Sequence, residues 1–400
     1  MTNRGWLGVA CLLVAGVAGS GTAADDDLRI VVTGTAAAKD AIALTGLQAS
    51  GPQGRAFLQT LAADLERSGW YKVQAAGAAK VTGTVADAGS GVSAACTFSA
   101  AGRAFAWKHA GGDSRQEAHL LADEIVRRLK GCAGIAATRI LMVRRTGSNR
   151  ADLYLCDSDG RNLKQVTHDN VACVGPRWTP DGRHAYYTSY VSGRPCVYRI
   201  AVDGGPRELL AGYLGLNTGA AVSPDGRDVA LILSFPGNPE VFLMHLGNGM
   251  ERLTRTRLAN EASPAWSPDG RQLAYVSDAT GKPHVYIMDV ASRQSRRATF
   301  RGTENVAPSW GPDGRIAYCS RREGSYQIAL LDPRAGESAG TVSSGPDHQD
   351  PSWAPDGRHI VCSRREGSGG TVCILDTLGD PPVRLFALSG DSIAPEWSER

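Results

Sequence analysis

The stretch Trp266-Ser267-Pro268-Asp269-Gly270-Arg271 decides the fold, because close copies of it recur along the chain at a nearly constant spacing. The other copies begin at Trp178, Val222, Trp310 and Trp353, and a partial copy begins at Trp397. The successive lead residues are 44, 44, 44, 43 and 44 positions apart. A regular period in this range is typical of a repeat architecture, in which each unit buries its faces only against its neighbours.

One repeat predicts four short strands separated by turns. In Ser-Pro-Asp-Gly, proline is pre-set for the second position of a β-turn and glycine closes the turn. Alternating or β-branched segments surround that turn. In the repeat around Trp266 the predicted strands are Ala262–Ser267, Gln272–Ser277, His284–Met288 and Arg296–Thr299. A repeated four-stranded antiparallel unit of this length is typical of a propeller blade.

Two incomplete units at the ends of the repeat region predict how the ring closes. The first, starting at Arg139–Val143, has second, third and fourth strands but no clear inner strand. The last, Ser392–Ser398, is an inner strand without a blade. Joined, they complete a sixth blade and leave no free sheet edge. We therefore predict an all-β six-bladed β-propeller of four-stranded antiparallel blades, with velcro closure by the C-terminal strand.

The N-terminus has the pattern of a secretory signal peptide. Arg4 is followed by an apolar run from Gly5 to Val17 and then by small residues up to Ala24. The run is shorter than the roughly 20 apolar residues that a membrane-spanning helix needs. We assign residues 1–24 to a cleaved signal peptide, which predicts export and a periplasmic location.

The segment between the signal peptide and the repeats predicts a small N-terminal α/β domain, residues 25–130. Helices are expected at Gly54–Ser68 and from Ser114 to Gly131, because each has one apolar stripe and a terminating glycine. Residues 131–138 are a small-residue linker, and residues 139–400 form the propeller. Five strands are expected, at Leu28–Val32, Tyr71–Gln74, Lys80–Val85, Ser93–Phe98 and Arg103–Lys108.

Composition and cysteine usage limit the function classes. A net charge of +3 gives no strongly basic field, which argues against nucleic acid as the main ligand. Eight of the nine cysteines follow the signal peptide, and none is arranged as CxxC or near histidines at zinc-finger spacing. We expect no metal and no cofactor. Cys362 and Cys373 fall on adjacent predicted strands and are the best candidates for a disulfide; small apolar fillers in strands are the alternative.

The chain as a whole resembles the TolB family, the periplasmic propeller proteins of the Tol-Pal envelope system. The resemblance rests on the domain order, the Trp-x-Pro-Asp-Gly-Arg repeat, and the segments Ala63–Gly69 and Lys130–Ile140. It implies a monomeric, non-enzymatic scaffold that maintains outer-membrane integrity during cell division. Its implied partner is a peptidoglycan-associated lipoprotein of the outer membrane (Pal), docked on one face of the propeller. A TolA-like inner-membrane protein is a second implied partner, captured through the N-terminal segment.

The resemblance also implies which residues bind these partners. Pal-type contacts are expected in the loops just before the inner strands, at Asn217, Thr218, Glu261, Ala262, Glu304, Asn305, His348, Gln349 and Asp350. TolA-type contacts are expected in the N-terminal segment, at Asp25, Asp26, Asp27, Leu28, Arg29, Ile30, Val31 and Val32.

Two other function classes remain as alternatives. A carbohydrate- or small-ligand-binding propeller would use its central channel. A hydrolase-associated propeller would need a Gly-x-Ser-x-Gly nucleophile elbow in an α/β domain, and the sequence contains no such pentapeptide. The arginine pairs Arg144-Arg145, Arg321-Arg322 and Arg364-Arg365 suggest either an ion-paired, solvated face or an anion site; we favour the ion-paired face.

Overall fold

The computed structural model describes residues 37–235, 237–367, 369–385 and 391–399. The predicted signal peptide and the predicted strand Leu28–Val32 lie outside these ranges. The first part of the described chain is an α/β region with the elements β1 (Asp40–Ser50), α1 (Gly51–Arg67), β2 (Tyr71–Gln74), β3 (Ala79–Ala88), β4 (Gly91–Ala100), β5 (Arg103–Gly112) and α2 (Ser114–Lys130). Among the described helices none is long and apolar enough to cross a membrane.

The α/β region is one five-stranded sheet in the order β2-β1-β3-β4-β5, with both helices packed against it. Strand β1 runs parallel to β2 and β3, and the β3-β4-β5 part is antiparallel. Phe57, Leu61 and Leu65 of α1 and Leu121 and Ile125 of α2 are fully buried. The apolar stripes predicted for the two helices are therefore their core faces, as expected.

The remaining strands form six four-stranded sheets, which confirms the six-bladed propeller. Blade 1 contains β9 (Cys173–Trp178), β10 (His184–Ser189), β11 (Cys196–Ala201) and β12 (Glu208–Ala211). Blade 2 contains β13 (Asn217–Val222), β14 (Asp228–Leu233), β15 (Glu240–His245) and β16 (Gly249–Arg252). Blade 3 contains β17 (Glu261–Trp266), β18 (Gln272–Ser277), β19 (His284–Asp289) and β20 (Ser295–Arg297).

Blade 4 contains β21 (Asn305–Trp310), β22 (Ile316–Arg322), β23 (Ser325–Asp332) and β24 (Gly336–Thr341). Blade 5 contains β25 (His348–Trp353), β26 (His359–Glu366), β27 (Gly369–Asp376) and β28 (Val383–Arg384). The closing blade contains β29 (Asp391–Trp397), β6 (Arg139–Gly147), β7 (Arg150–Asp157) and β8 (Lys164–Gln165). Its inner strand β29 pairs antiparallel with β6, with Trp397 opposite Ile140, so the predicted velcro closure is confirmed.

The repeated turn is stabilised by its own side chains. In blade 3 the Ser267 hydroxyl lies 2.6 Å from Asp269 Oδ1, which also accepts the Arg271 amide at 3.1 Å. The hydrogen bond from Ser267, followed by that from the Arg271 amide, lowers the pKa of Asp269. Gly270 has φ +69°, a conformation that glycine adopts without strain. The aspartates of the repeat are therefore turn residues.

The tryptophans of the inner strands join neighbouring blades. The indole N–H of Trp178 in blade 1 donates to the carbonyl of Glu396 in β29 at 3.0 Å. That of Trp266 in blade 3 donates to the carbonyl of Ala221 in blade 2 at 2.9 Å. These two rings thus fill the space between neighbouring sheets while their N–H groups find partners in the adjacent blade.

The α/β region packs on the face of the propeller that carries the Pro-Asp-Gly turns, which we call the turn face. Arg358, in the blade 5 turn, lies with its guanidinium carbon 4.7 Å from the Trp70 ring centroid and donates to Asp376 at 2.8 Å. Arg115 of α2 pairs with Asp157, the last residue of β7, and with Asp159 in the turn that follows. The inner strands begin at the other end of the ring, which we call the loop face.

Candidate partner-binding face

Every inner strand has the same backbone irregularity where it borders the central channel. One residue with positive φ, between 48° and 69°, interrupts the regular register with the second strand. In five of the six strands the next residue is proline, which has no N–H for the ladder and so favours a bulge. The six bulge residues are Gly175, Gly219, Ser263, Ala307, Asp350 and Ala394.

The bulge residues form a ring in the wall of a central cavity of about 1240 Å³. Asp350 is the one member of this ring with a charged side chain. Burial raises the pKa of Asp350, and the nearby Arg177 guanidinium partly opposes that effect. Arg177 also binds Glu396 at 2.6 Å. The ring of bulges is therefore mostly backbone and small side chains, with a small charged cluster on the side of blades 1, 5 and the closing blade. Elsewhere Arg194, Arg257 and Asp278 also line the cavity.

The expected Pal-type residues are not where the sequence placed them. Eight of the nine belong to the inner strands themselves, and only Glu304 lies in a loop. Asn217, Glu261, Asn305 and His348 are each the first residue of an inner strand and are at most 1% exposed. Side chains buried to that extent are enclosed in this structure, and the role of these four residues in binding a partner stays a prediction.

These four residues hold the preceding loops in shape. The Asn217 amide donates to the carbonyls of Tyr213 at 2.8 Å, Gly215 at 3.2 Å and Pro195 at 3.1 Å. Asn305 donates to the Arg301 carbonyl at 2.8 Å. Since a loop carbonyl buried without a partner would be costly, these side chains fix the backbone that presents the loop face.

The remaining expected residues are half-buried. Thr218, Ala262, Gln349 and Asp350 line the channel wall. Glu304 binds the Tyr326 hydroxyl and, at 3.3 Å, Arg321. Their role in binding a partner stays a prediction. The TolA-type residues Asp25 to Val32 lie outside the described part of the chain.

An exposed apolar cluster on the loop face was missed from the sequence. Tyr213 and Phe235 contact each other with ring centroids 5.3 Å apart and are 39% and 46% exposed. Leu214 and Leu258 line the channel mouth and are 76% and 85% exposed. We call Tyr213, Leu214, Phe235 and Leu258 the apolar loop cluster. Leu214 and Leu258 are 44 positions apart, one repeat period, so aligning the loops as well as the strands could have found them.

The three arginine pairs occupy the other half of the same face. Arg144-Arg145, Arg321-Arg322 and Arg364-Arg365 stand at the equivalent end of the second strand in the closing blade, blade 4 and blade 5. Arg145 pairs with Asp391 at 3.3 Å and Arg321 with Glu304 at 3.3 Å. The loop face therefore carries the apolar loop cluster on blades 1 to 3, where Arg194 and Arg257 are also exposed at the channel mouth, and an ion-paired, arginine-rich half on the other three blades.

Two further expectations concern cysteines and metals. Cys362 and Cys373 lie directly opposite each other in β26 and β27, with their Sγ atoms 3.6 Å apart, and both are free thiols in the structure. A bridge between them stays a prediction. Within the residues that the structure describes, no group of three or more His, Cys, Asp or Glu side chains is arranged to hold a metal ion.

Comparison with known proteins agrees with this architecture. The crystal structure of TolB from Acinetobacter baumannii superposes with a TM-score of 0.80 at 26% identity, covering 93% of this chain and 100% of that one. The Tol-Pal system protein TolB of Chromobacterium violaceum is 30% identical over 239 residues, 52% of this chain and 54% of that protein. That of Aromatoleum aromaticum is 28% identical over 233 residues, 52% of this chain and 54% of that protein.

These alignments leave the rest of each relative unmatched: the chain spans about half the length of the curated relatives, 54% in both cases. The family model described as the TolB beta propeller domain matches residues 126–400, which is more than half of the chain and includes all six blades. The chain therefore belongs to the TolB β-propeller family.

Proposed function

We propose that this protein is a non-enzymatic, periplasmic scaffold of the Tol-Pal system. It docks a Pal-like outer-membrane lipoprotein on the loop face and so helps to maintain outer-membrane integrity during cell division. Family membership supports the Tol-Pal assignment, and the apolar loop cluster is the single observation that supports docking on this face.

The exposure of the cluster is the reason for assigning it to binding. Leu258, 85% exposed, and Leu214, 76% exposed, stand at the rim of the channel, where water contacts most of each side chain. Adjacent exposed apolar side chains rimmed by polar residues mark protein interaction sites. Tyrosine and phenylalanine beside them are residue types that contribute strongly to interface cores. The α/β region packs on the turn face, at the opposite end of the strands.

The arginine-rich half adds a chemical requirement on the partner. Its arginine side chains lie on the opposite side of the channel mouth from the apolar loop cluster. A partner that covers both sides should therefore present apolar side chains flanked by carboxylates. Charge complementarity of this kind mainly sets orientation and association rate. Because Arg145 and Arg321 already have acidic partners, we expect the apolar loop cluster to supply more of the binding energy.

The second partner is proposed to be TolA-like and to use the N-terminal segment. Asp25 to Val32 combine three acidic residues with a β-prone stretch, a pattern suited to strand addition. Deleting residues 25–32 from the mature protein should abolish TolA-type binding. Unchanged TolA-type binding by the deletion variant would overturn this part of the proposal.

Calorimetric titration with the soluble domain of a Pal-like lipoprotein tests the main proposal. We expect one-to-one binding with a Kd of about 1 μM or tighter, the range of standard-sized interfaces. Absence of binding at about 100 μM, together with binding of a soluble glycan, would favour the small-ligand propeller instead. Labelling of any serine by a fluorophosphonate probe would favour the hydrolase alternative.

A further inference from the structure

Cys362 and Cys373 form a facing pair of buried cysteines in blade 5. They occupy facing positions of β26 and β27. Cys362 is 0% exposed and Cys373 is 2% exposed. Directly opposed residues in antiparallel strands have Cα atoms about 4.5–5.5 Å apart, within the range that a disulfide spans. The two Sγ atoms lie 3.6 Å apart, compared with about 2.05 Å in a formed disulfide.

The neighbouring blade buries a thiol without a partner sulfur, on the face that packs against blade 5. Cys319 in β22 lies 43 residues before Cys362, and the residue opposite it is Ile328. The Cys319 Sγ accepts the Asp350 amide at 3.2 Å, and burial raises its pKa well above the ordinary value. Blade 4 therefore buries a single unreactive thiol, whereas blade 5 buries two facing thiols.

The surroundings of the two cysteines shift their pKa values in opposite directions, so that one thiol is the better nucleophile. The hydrogen bond from Cys362, and then the His348 imidazole, lower the pKa of Cys373, while burial raises that of Cys362. His348 is 1% exposed, and its Nε2 has no hydrogen-bond partner among the described residues. A thiol whose pKa is lowered and that faces a second thiol is the one expected to attack a disulfide donor first.

We propose that Cys362 and Cys373 form an intrablade disulfide in the functional protein. The Cys373 thiolate attacks one sulfur of a disulfide donor, either a thiol–disulfide oxidoreductase or oxidised glutathione, and releases the other sulfur as a thiolate. Cys362 then loses its proton and displaces the donor from the mixed disulfide. The two cysteines lose two protons and two electrons, and the donor is reduced to two thiols.

The topology lets this reaction precede burial. Strands β26 and β27 are consecutive and form a local hairpin, and the face that carries Cys362 and Cys373 packs against blade 4 in a cluster with Cys319 and Ile328. The hairpin can therefore pair and be oxidised before it packs against blade 4, after which solvent loses access to the bridge. Oxidation inside the cell rests on the export proposed above, but the geometry of the pair does not.

Alkylation under denaturing conditions tests the proposal. The full-length mature protein is recovered from the periplasm, unfolded in guanidinium chloride with N-ethylmaleimide and no reductant, and weighed by mass spectrometry. Six of its eight cysteines should be alkylated. Trypsin should then yield residues 359–364 linked to residues 366–384. In parallel, reduced protein refolded with oxidised glutathione should give the same linked peptides, which tests the geometry independently of location. Alkylation of all eight cysteines in both samples would overturn the proposal.

Serine variants identify the bond. In Cys362→Ser and in Cys373→Ser all seven remaining cysteines should be alkylated, because each substitution removes the disulfide partner of the other cysteine. The matched control Cys319→Ser should leave five, with the linked peptides intact. Reducing the wild-type protein should lower its Tm by about 4–8 °C, as expected for loss of a short disulfide loop in a domain of this size. The Tm of the double variant C362A/C373A should not respond to reductant; an equal response would overturn the proposal.

Discussion

Arg139 and Ser398 are hydrogen-bonded in both directions across the closure of the ring. The Arg139 amide donates to Ser398 Oγ at 2.9 Å, and the Ser398 amide donates to the Arg139 carbonyl at 2.9 Å. Next to this pair, the Trp397 indole N–H donates to Thr138 Oγ1 at 2.7 Å. The two ends of the propeller are therefore held by specific polar contacts as well as by the strand ladder.

Trp397→Ala should cost about 3–5 kcal/mol in the free energy of unfolding, because it empties a buried site and breaks the contact to Thr138. Trp310→Ala is the matched control: that ring is only partly buried, and its N–H donates within its own turn to Gly314. Guanidinium unfolding of both variants measures the difference. Equal losses would show that closure depends on the ladder alone.

Arg358→Gln should uncouple the α/β region from the propeller. The Arg358 side chain is 3% exposed, pairs with Asp376 and lies over the Trp70 ring, so its loss removes the main cationic partner of a buried carboxylate and the contact to Trp70, at a cost of about 3 kcal/mol. Arg271, at the same position of the blade 3 turn, is exposed, and Arg271→Gln should be neutral. Calorimetry should resolve two unfolding transitions for Arg358→Gln alone. A single wild-type transition in that variant would contradict the interface described above.

Glu261 should make stability fall as pH rises. Burial raises the pKa of its carboxyl to about 7, with the Glu240 charge adding to the effect. Because the folded state holds the proton more tightly than the unfolded state, this contribution is complete below pH 4.5 and is lost as pH rises towards 7. Glu261→Gln should therefore match the wild type at pH 5 and exceed it by about 2–3 kcal/mol at pH 8. Urea unfolding at the two pH values measures this; an equal effect at both would refute the assignment.

Two glycines among the bulge residues, Gly175 and Gly219, should respond differently to substitution by alanine. Both have positive φ, but a Cβ on Gly219 would lie 3.0 Å from Ile232 Cγ1 and 3.1 Å from Pro264 Cδ, whereas one on Gly175 would meet nothing within 4 Å. Alanine already occupies this conformation at Ala307 and Ala394. Gly219→Ala should thus cost about 1–3 kcal/mol and Gly175→Ala about 1 kcal/mol or less. Unfolding curves that rank the pair the other way would contradict the packing of the channel wall.

The scaffold could be predicted because its determinants are local and repeated. The Pro-Asp-Gly turn and the lead tryptophan fix one blade, and the period then fixes the ring and the partner of β29. Strand β1 was missed because Asp40–Ser50 is rich in alanine, has little β-propensity, and is recognisable only from its pairing with β2 and β3.

The site was predicted less well, since burial depends on which residues meet across blades. Asn217 and Glu261 look like exposed polar residues before a strand, yet both are enclosed by loop carbonyls or by hydroxyl groups from neighbouring segments. Leu214 and Leu258 look like ordinary core leucines, yet the loops that carry them turn outward at the channel mouth. Sequence periodicity identifies the strands but not the direction of a loop side chain.

The affinity of a Pal-like lipoprotein domain for Leu258→Asp, compared with Leu246→Asp, tests the central claim most directly. Leu246 is 42% exposed and lies on the turn face, where its amide binds the Arg227 carbonyl. Calorimetry should show that Leu258→Asp raises Kd by about tenfold or more, the loss of one strong interface contact, while Leu246→Asp leaves Kd within about twofold of the wild type. Wild-type affinity in Leu258→Asp, or an equal loss in both variants, would contradict docking on the loop face.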